Sequence, residues 1–103
     1  MADIIKSGSG DKIVHLNFSN NCPFPLSVYW IDYNGNKTFY KTLPPGGSYE
    51  QQTYATHPWL FIGNKYNEEI PLGVYFPRND TPDDTVISIT ETSIGTAPSL
   101  WRY

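Results

Sequence analysis

Hydrophobic and polar residues alternate along several short stretches of this chain, which is the pattern of strands that bury one face. In the stretch 12–20, for example, Val14, Leu16 and Phe18 fall on one face, and polar residues fall on the other. No stretch carries the apolar stripe that an amphipathic helix would need. The strands predicted from this pattern are 12–20, 25–33, 37–42, 48–54, 59–63, 72–76 and 85–92.

Turn-forming residues separate these stretches. Asn34-Gly35 is a strong hairpin signal, because both residue types accept a positive φ. The Pro and Gly residues of 43–47 predict a stiff segment and a corner that carries the chain to a second sheet. We therefore predict an all-β fold, a single antiparallel β-sandwich of about seven short strands. The predicted boundaries are a flexible lead-in at 1–11, the sandwich at 12–92 and a C-terminal tail at 93–103.

Composition narrows the classes of function. The 103 residues suffice for one domain, and an aromatic content of 16% provides apolar surface to bury. The net charge of −3, with seven dispersed Lys and Arg residues, argues against binding to nucleic acid or an anionic membrane. Cys22 is the only cysteine, which excludes an internal disulfide and a cysteine-rich zinc site. No signal-peptide or membrane-spanning run is present, so we predict a cytoplasmic location and no cofactor.

The stretch 40–61 concentrates residues that could form a binding site. The predicted pocket residues are Trp30, Tyr40, Thr53, His57 and Trp59. The tryptophans could equally be core residues, although an indole N–H at a strand end needs a hydrogen-bond partner. His57 precedes Pro58, which favours an extended backbone and would project the ring from the turn. A histidine here could also be exposed or held by structural hydrogen bonds.

Residues that could catalyse a reaction are scarce, and we predict no enzymatic activity. His15 and His57 are the only histidines, too few for a histidine-rich metal site. The adjacent acidic pairs at 68–69 and 83–84 would point apart in an extended chain, so they do not form an acid/base pair. Cys22 has no neighbouring base or cation, which argues against a reactive thiol.

One ordered series of residues resembles a known family, the β-domain of the von Hippel–Lindau tumour suppressor. The series comprises Asn20, VYWIDYNG at 28–35, FYKTLPPG at 39–46, TYATHPWLF at 53–61 and VYFP at 74–77. The similarity runs without gaps from residue 4 to residue 61 and is weak beyond Pro77. The resemblance implies a β-sandwich that binds a peptide containing 4-hydroxyproline.

The resemblance also implies a role for each matching residue. Trp30, Tyr40 and Trp59 would wall the pocket for the proline ring, and the Tyr40 phenol would also reach the peptide backbone. Thr53, which stands where the family has Ser, and His57 would hydrogen-bond the hydroxyl of the modified proline. The residues expected to support the site are Asn20, Tyr54 and Gln52.

The chain departs from the family pattern in two ways. Tyr49 and Gln52 replace basic residues near the pocket, and Thr53 adds a methyl group, so we expect a different preferred peptide. Full-length members continue into a helical domain that binds elongin C and recruits a ubiquitin ligase. Since this sequence ends at Tyr103 without such a helical segment, we expect no elongin C binding and no role as a ligase adaptor.

Two further interpretations stay open from the residues alone. Trp30, Tyr40 and Trp59 could form the stacking platform of a carbohydrate-binding module. Such a platform would be a flat, open row of rings, whereas a proline pocket would enclose the rings around Thr53 and His57. The chain could also be a scaffold whose site has lost its ligand.

Overall fold

The computed structural model describes residues 5–9 and 12–97 of the chain. Within these residues, eight strands form two four-stranded sheets, and there is no helix, hence none that could cross a membrane. The strands are β1 (Ile13–Asn20), β2 (Leu26–Ile31), β3 (Lys37–Leu43), β4 (Ser48–Tyr54), β5 (Trp59–Lys65), β6 (Glu68–Tyr75), β7 (Thr85–Ile89) and β8 (Ile94–Ala97). The predicted all-β sandwich is confirmed.

The strand order is β4-β1-β7-β8 in the first sheet and β3-β2-β5-β6 in the second. The pairings within the described residues are antiparallel except that of β1 with β7, which is parallel. This parallel pair departs from the predicted antiparallel arrangement. Alternation along a strand shows which face is buried, but it does not show which strand lies alongside or in which direction.

The core lies between the two sheets and is built from the inward-facing residues of the central strands. The aliphatic side chains that are fully buried there include Val14, Leu16, Leu26, Val28, Ile87 and Ile89. The ring of Phe18 packs against Trp59 and Phe61, with centroid distances of 5.5 and 5.2 Å. Burying such side chains contributes about 1.5–3 kcal/mol each relative to exposure, and this holds the sheets together.

Both predicted turns form. Gly35 has a φ of 82°, and the Asp32 N–H donates to the Asn36 carbonyl across the hairpin at 2.8 Å. At the second turn, Gly46 has a φ of 79° and the Gly47 N–H donates to the Pro44 carbonyl at 2.8 Å. This corner joins β3 to β4, which are the edge strands of different sheets. As a result, one edge of each sheet borders the same side of the sandwich.

The segment 64–71, predicted as a connection between the strands 59–63 and 72–76, instead forms the hairpin of β5 and β6. Lys65 pairs with Glu68 across a two-residue turn. Tyr66 and Asn67 in that turn have φ values of 51° and 67°, as in a type I′ hairpin. The prediction is wrong here because β6 is an edge strand in which no residue is fully buried, and such a strand needs no clear hydrophobic alternation.

Two described segments lie outside the predicted sandwich boundaries but contact it. Residues 94–97, placed in the tail by the sequence, form β8 and pair with β7. Residues 5–9, placed in the lead-in, are tied down by backbone hydrogen bonds from Ser7 to Asp32 and from Gly8 to Thr56, both 3.0 Å long. Residues 1–4, 10–11 and 98–103 of the predicted lead-in and tail lie outside the described residues.

Candidate functional site

A small cavity lies on the side of the sandwich that the edge strands β3 and β4 border. Its volume is about 190 Å³. Its lining consists of Trp30, Tyr33, Tyr40, Gln52, Thr53, Tyr54, His57 and Trp59. The structure thus brings all five predicted pocket residues to one place, together with Tyr54 and Gln52. None of these lining residues carries a charge while His57 is neutral.

Tyr40 reaches the cavity through an irregularity in β3. The register between β2 and β3 shifts between Val28 and Tyr29, which leaves Tyr40 as an extra residue on β3. Such a bulge bends the strand and redirects the side chain of the extra residue. The Tyr40 ring is 46% exposed and stands at 79° to the Trp59 ring, with centroids 4.8 Å apart. Tyr40 therefore forms an outer wall of the cavity that stands beside Trp59.

Trp59 and Thr53 form the floor of the cavity. Trp59 is the first residue of β5 and is 2% exposed, while Thr53 on β4 is 3% exposed. The Trp59 Nε1–H donates to the Thr53 hydroxyl oxygen at 3.0 Å. A hydroxyl that accepts one hydrogen bond still has its own proton to donate. Thr53 can therefore offer that proton to a group inside the cavity.

His57 ends the tight turn between β4 and β5. The His57 N–H donates to the Tyr54 carbonyl at 3.1 Å, and Thr56 adopts a φ of 71° within the turn. His57 is buried, so its ring is part of the cavity lining and does not extend into open solvent. It stacks on Trp30 with a centroid distance of 5.5 Å and an interplanar angle of 27°. The Tyr54 ring lies 5.3 Å away on another side.

The protonation of His57 follows from its burial. Loss of solvation disfavours the imidazolium and lowers the pKa of His57 below its ordinary value. A hydrogen bond with the Gly8 backbone acts in the opposite direction but does not outweigh burial. The Tyr33 hydroxyl lies 3.3 Å from His57 Nε2. At neutral pH the ring is therefore uncharged and retains one nitrogen that accepts a hydrogen bond.

Trp30 forms the remaining large wall and is half-buried. Its Nε1–H donates to the Ser7 hydroxyl oxygen at 2.7 Å. The Ser7 hydroxyl in turn donates to the Ile31 carbonyl at 2.7 Å. The sequence predicted that this indole would need a partner, but it did not predict that residues 5–9 would supply one.

Two residues at the site, Tyr33 and Ser7, were not predicted from the sequence. The Tyr33 ring meets His57 and Trp30 edge-on, with centroid distances of 5.4 and 5.5 Å. Its position in an aromatic run beside the Asn34-Gly35 hairpin was a usable signal. Ser7 carries no such signal, because it is a small residue outside any alternating pattern.

Asn20, predicted as a supporting residue, does not line the cavity. It is fully buried at the end of β1. The acceptors of its side-chain NH₂ group are the carbonyl oxygens of Phe24, Leu43 and Pro44. Its side-chain oxygen accepts the N–H of Cys22 at 2.9 Å. Asn20 therefore holds the corner between β3 and β4 and supports the cavity through the fold.

The chemistry of the cavity is that of binding a small, partly apolar group. Aromatic faces surround a donor hydroxyl from Thr53 and an acceptor nitrogen from His57. Among the described residues, no three His, Cys, Asp or Glu side chains are grouped as metal ligands would be. The arrangement can enclose a ring and hydrogen-bond a single hydroxyl on it.

Comparison with known families agrees with this geometry. The model of the VHL β-domain family matches residues 5–74. The match covers more than half of the chain, and all residues that line the cavity fall inside it. The chain belongs to the VHL β-domain family. As a member of that family, this VHL β-domain is a protein-interaction module.

A curated relative from an insect shows how far the similarity extends. Protein Vhl of Drosophila melanogaster is 23% identical to this VHL β-domain over 95 residues. The aligned region covers 84% of this chain and 53% of the relative. The chain thus spans about half the length of the curated relative that it matches.

Proposed function

We propose that this VHL β-domain recognises peptides that contain 4-hydroxyproline. The observation that carries the proposal is the pairing of the Thr53 hydroxyl with the neutral His57 ring inside an aromatic-walled cavity. At about 190 Å³, the cavity is smaller than the roughly 300–1,000 Å³ of a typical drug-sized site. It suits one residue-sized group rather than an extended ligand. In this proposal the domain binds its partner in the cytoplasm and performs no chemistry on it.

The floor of the cavity gives a physical basis for selecting the hydroxylated ring. The ligand hydroxyl would accept a hydrogen bond from Thr53 and donate one to the His57 ring. A plain proline would leave the Thr53 hydroxyl proton without an acceptor, and the His57 ring would keep only the Tyr33 hydroxyl, 3.3 Å from Nε2, beside it. Leaving a buried donor or acceptor unpaired costs about 1–3 kcal/mol, so each unsatisfied group would weaken binding by about fivefold to more than a hundredfold.

The peptide backbone on either side of the modified proline would lie along a sheet edge. Both β3 and β4 are edge strands that border the cavity. An edge strand has unpaired N–H and C=O groups that can pair with an extended peptide. The exposed Tyr40 phenol at the rim can add a hydrogen bond to the peptide backbone.

The ring geometry favours this ligand over a sugar. A stacking platform for a sugar needs aromatic rings in a flat, open row. Here the Tyr40 and Trp59 rings stand at 79° to each other, and Trp59 is 2% exposed. The rings therefore enclose a small volume instead of presenting a plane.

The test uses tryptophan fluorescence and matched peptide pairs. An oriented library with random flanks around a fixed trans-4-hydroxyproline first supplies a binding sequence. That peptide and its plain-proline twin are then titrated against the full chain, whose Trp30 and Trp59 report on the cavity. We expect saturable binding of the hydroxylated peptide and binding at least about tenfold weaker for its twin.

Two variants and one further ligand set complete this test. His57→Ala should abolish the preference for hydroxylated peptide, while Tyr66→Ala should leave it unchanged, since Tyr66 is 87% exposed on the β5–β6 turn. Equal binding of both peptides, or of neither, would overturn the proposed function. A fluorescence response to sugars would then favour a carbohydrate-binding module, and no response to either would favour a scaffold without this ligand.

A further inference from the structure

Residues 5–9 form a segment without regular secondary structure beside the cavity, which we call the N-terminal strap. Its central residue, Ser7, is 6% exposed. The Ser7 backbone N–H donates to the Asp32 carbonyl at 3.0 Å, and its hydroxyl donates to the Ile31 carbonyl at 2.7 Å. These bonds fix the Ser7 oxygen in the position where it accepts the Trp30 indole N–H at 2.7 Å. The Ser7 hydroxyl therefore donates one hydrogen bond and accepts another beside a cavity wall.

The next residue of the strap contacts the opposite side of the site. The Gly8 N–H donates to the Thr56 carbonyl at 3.0 Å, within the turn that presents His57. The approach is close, because a Cβ on Gly8 would lie 2.7 Å from the Thr56 hydroxyl oxygen. Gly8 thus allows the strap to pack directly against this turn.

The two contacts act on rings that touch each other. Trp30 and His57 are stacked with centroids 5.5 Å apart. An indole that loses its hydrogen-bond acceptor can change its orientation, and the stacked imidazole would follow. Since a site discriminates ligands only if its walls are held within a few tenths of an ångström, the strap has a direct route to selectivity.

We propose that Ser7 is a positioning residue of this site that fixes the Trp30 indole, while Gly8 anchors the turn that presents His57. The inference rests on the proposed function, because the joint orientation of the two stacked rings shapes the wall that receives the hydroxylated proline ring. The strap makes no contact with the ligand in this scheme. It acts through Trp30 and His57 alone.

The decisive variant is Ser7→Ala, which removes the acceptor of the indole N–H and leaves the backbone bonds in place. Ser7→Thr keeps the hydroxyl and should rescue the effect. Ser9→Ala is the matched control on the same strap, because Ser9 is exposed. Should Ser7→Ala fail to fold, Ser7→Cys replaces the hydroxyl with a weak acceptor of similar size.

The first readout needs no ligand. Hydrogen exchange of the Trp30 and Trp59 indole protons is measured by NMR on the ¹⁵N-labelled full chain. In Ser7→Ala we expect faster exchange at Trp30, by about tenfold or more, and no change at Trp59, whose proton is bonded to Thr53. If the Trp30 indole proton exchanges at the same rate in Ser7→Ala as in the wild type, the positioning role is overturned.

The second readout is binding of the hydroxylated peptide and its proline twin. We expect Ser7→Ala to lower the affinity for the hydroxylated peptide by about three- to tenfold, the range set by one typical hydrogen bond. Its proline twin should bind as before, and Ser7→Thr and Ser9→Ala should resemble the wild type. An unchanged ratio of the two affinities in Ser7→Ala would mean that Ser7 is merely structural and would overturn the inference.

These readouts separate failure of the inference from failure of the proposed function. If the wild type does not distinguish the peptides, the proposed function is wrong. The part of the inference that links Ser7 to hydroxyproline selectivity then fails with it. The claim that Ser7 positions the indole is then decided by the exchange of the Trp30 proton alone.

Discussion

The Trp59 indole and the Thr53 hydroxyl form a 3.0 Å hydrogen bond between strands that belong to different sheets. Both side chains are almost fully buried, so neither group can turn to water if the bond is broken. This bond therefore couples the packing of the two sheets to the floor of the cavity. A change at Thr53 should affect both stability and binding.

Thr53→Val keeps the shape of the side chain and leaves the Trp59 N–H unpaired. We expect the free energy of unfolding to fall by about 1–3 kcal/mol. We also expect the difference in affinity between hydroxylated and plain peptides to narrow. Thr53→Ser retains the hydroxyl and serves as the control. Urea unfolding and paired titrations measure the two effects, and an undiminished preference in Thr53→Val would assign hydroxyl recognition to another group.

Protonation of His57 should lower both the free energy of unfolding and the affinity for the peptide as the pH falls. Burial lowers the pKa of His57, so below about pH 6.5 the unfolded chain holds more protons at this site than the folded one. The contribution of His57 to stability is therefore present above that pH and is lost as the pH falls. Affinity for the hydroxylated peptide should decline over the same range, because protonation removes the ring acceptor.

His15 provides the control for that titration. Its hydrogen bond with Asp83, at 3.0 Å, raises the pKa of His15. Its contribution to stability is thus present below about pH 6.5 and is lost as the pH rises through the folded pKa, the opposite sense to His57. Peptide titrations between about pH 5 and 8 should show the acid loss of affinity in His15→Asn as in the wild type. Its disappearance in that variant would assign the effect to His15.

Tyr49 offers a prediction of increased stability. Among the described residues, its hydroxyl is the one buried side-chain N or O atom that lacks a hydrogen-bond partner. Burial also raises the pKa of Tyr49 far above its ordinary value. Tyr49→Phe removes this atom and keeps the ring that packs on Phe18 at 5.7 Å.

We expect Tyr49→Phe to leave the free energy of unfolding unchanged or to raise it by up to about 2 kcal/mol. Urea unfolding measures the change, and Tyr66→Phe, at an exposed position, is the neutral reference. A clear loss of stability in Tyr49→Phe would contradict the prediction, since it would mean that the hydroxyl is hydrogen-bonded in solution.

Asn20→Ala should lower stability without changing peptide recognition, because Asn20 supports the fold and does not line the cavity. The substitution removes one buried acceptor and the donors of three carbonyl contacts. We expect a loss of about 2–4 kcal/mol of unfolding free energy, with the peptide preference intact in the folded protein. Asn21→Ala, at the exposed neighbouring position, removes one surface hydrogen bond to the Ser88 hydroxyl and should cost no more than about 1 kcal/mol. Loss of the preference in folded Asn20→Ala would place Asn20 in the site.

The sequence by itself determined the features that depend on neighbouring residues. Alternation marked β1, and the glycines at 35 and 46 marked two turns, because a positive φ and a buried strand face are local requirements. The residue types of the pocket were also readable, since Trp30, Tyr40, Thr53, His57 and Trp59 do line one cavity. What they bind is the subject of the proposal above.

Only the tertiary structure decided which distant residues meet. The parallel pairing of β1 with β7, the bulge that turns Tyr40 into the cavity and the bond from Trp30 to Ser7 leave no trace in local pattern. Each depends on strand register or on a contact between segments far apart in the chain. Such contacts are selected by the packing of the whole sandwich, because a residue finds its partner only when the two sheets have closed on a common core.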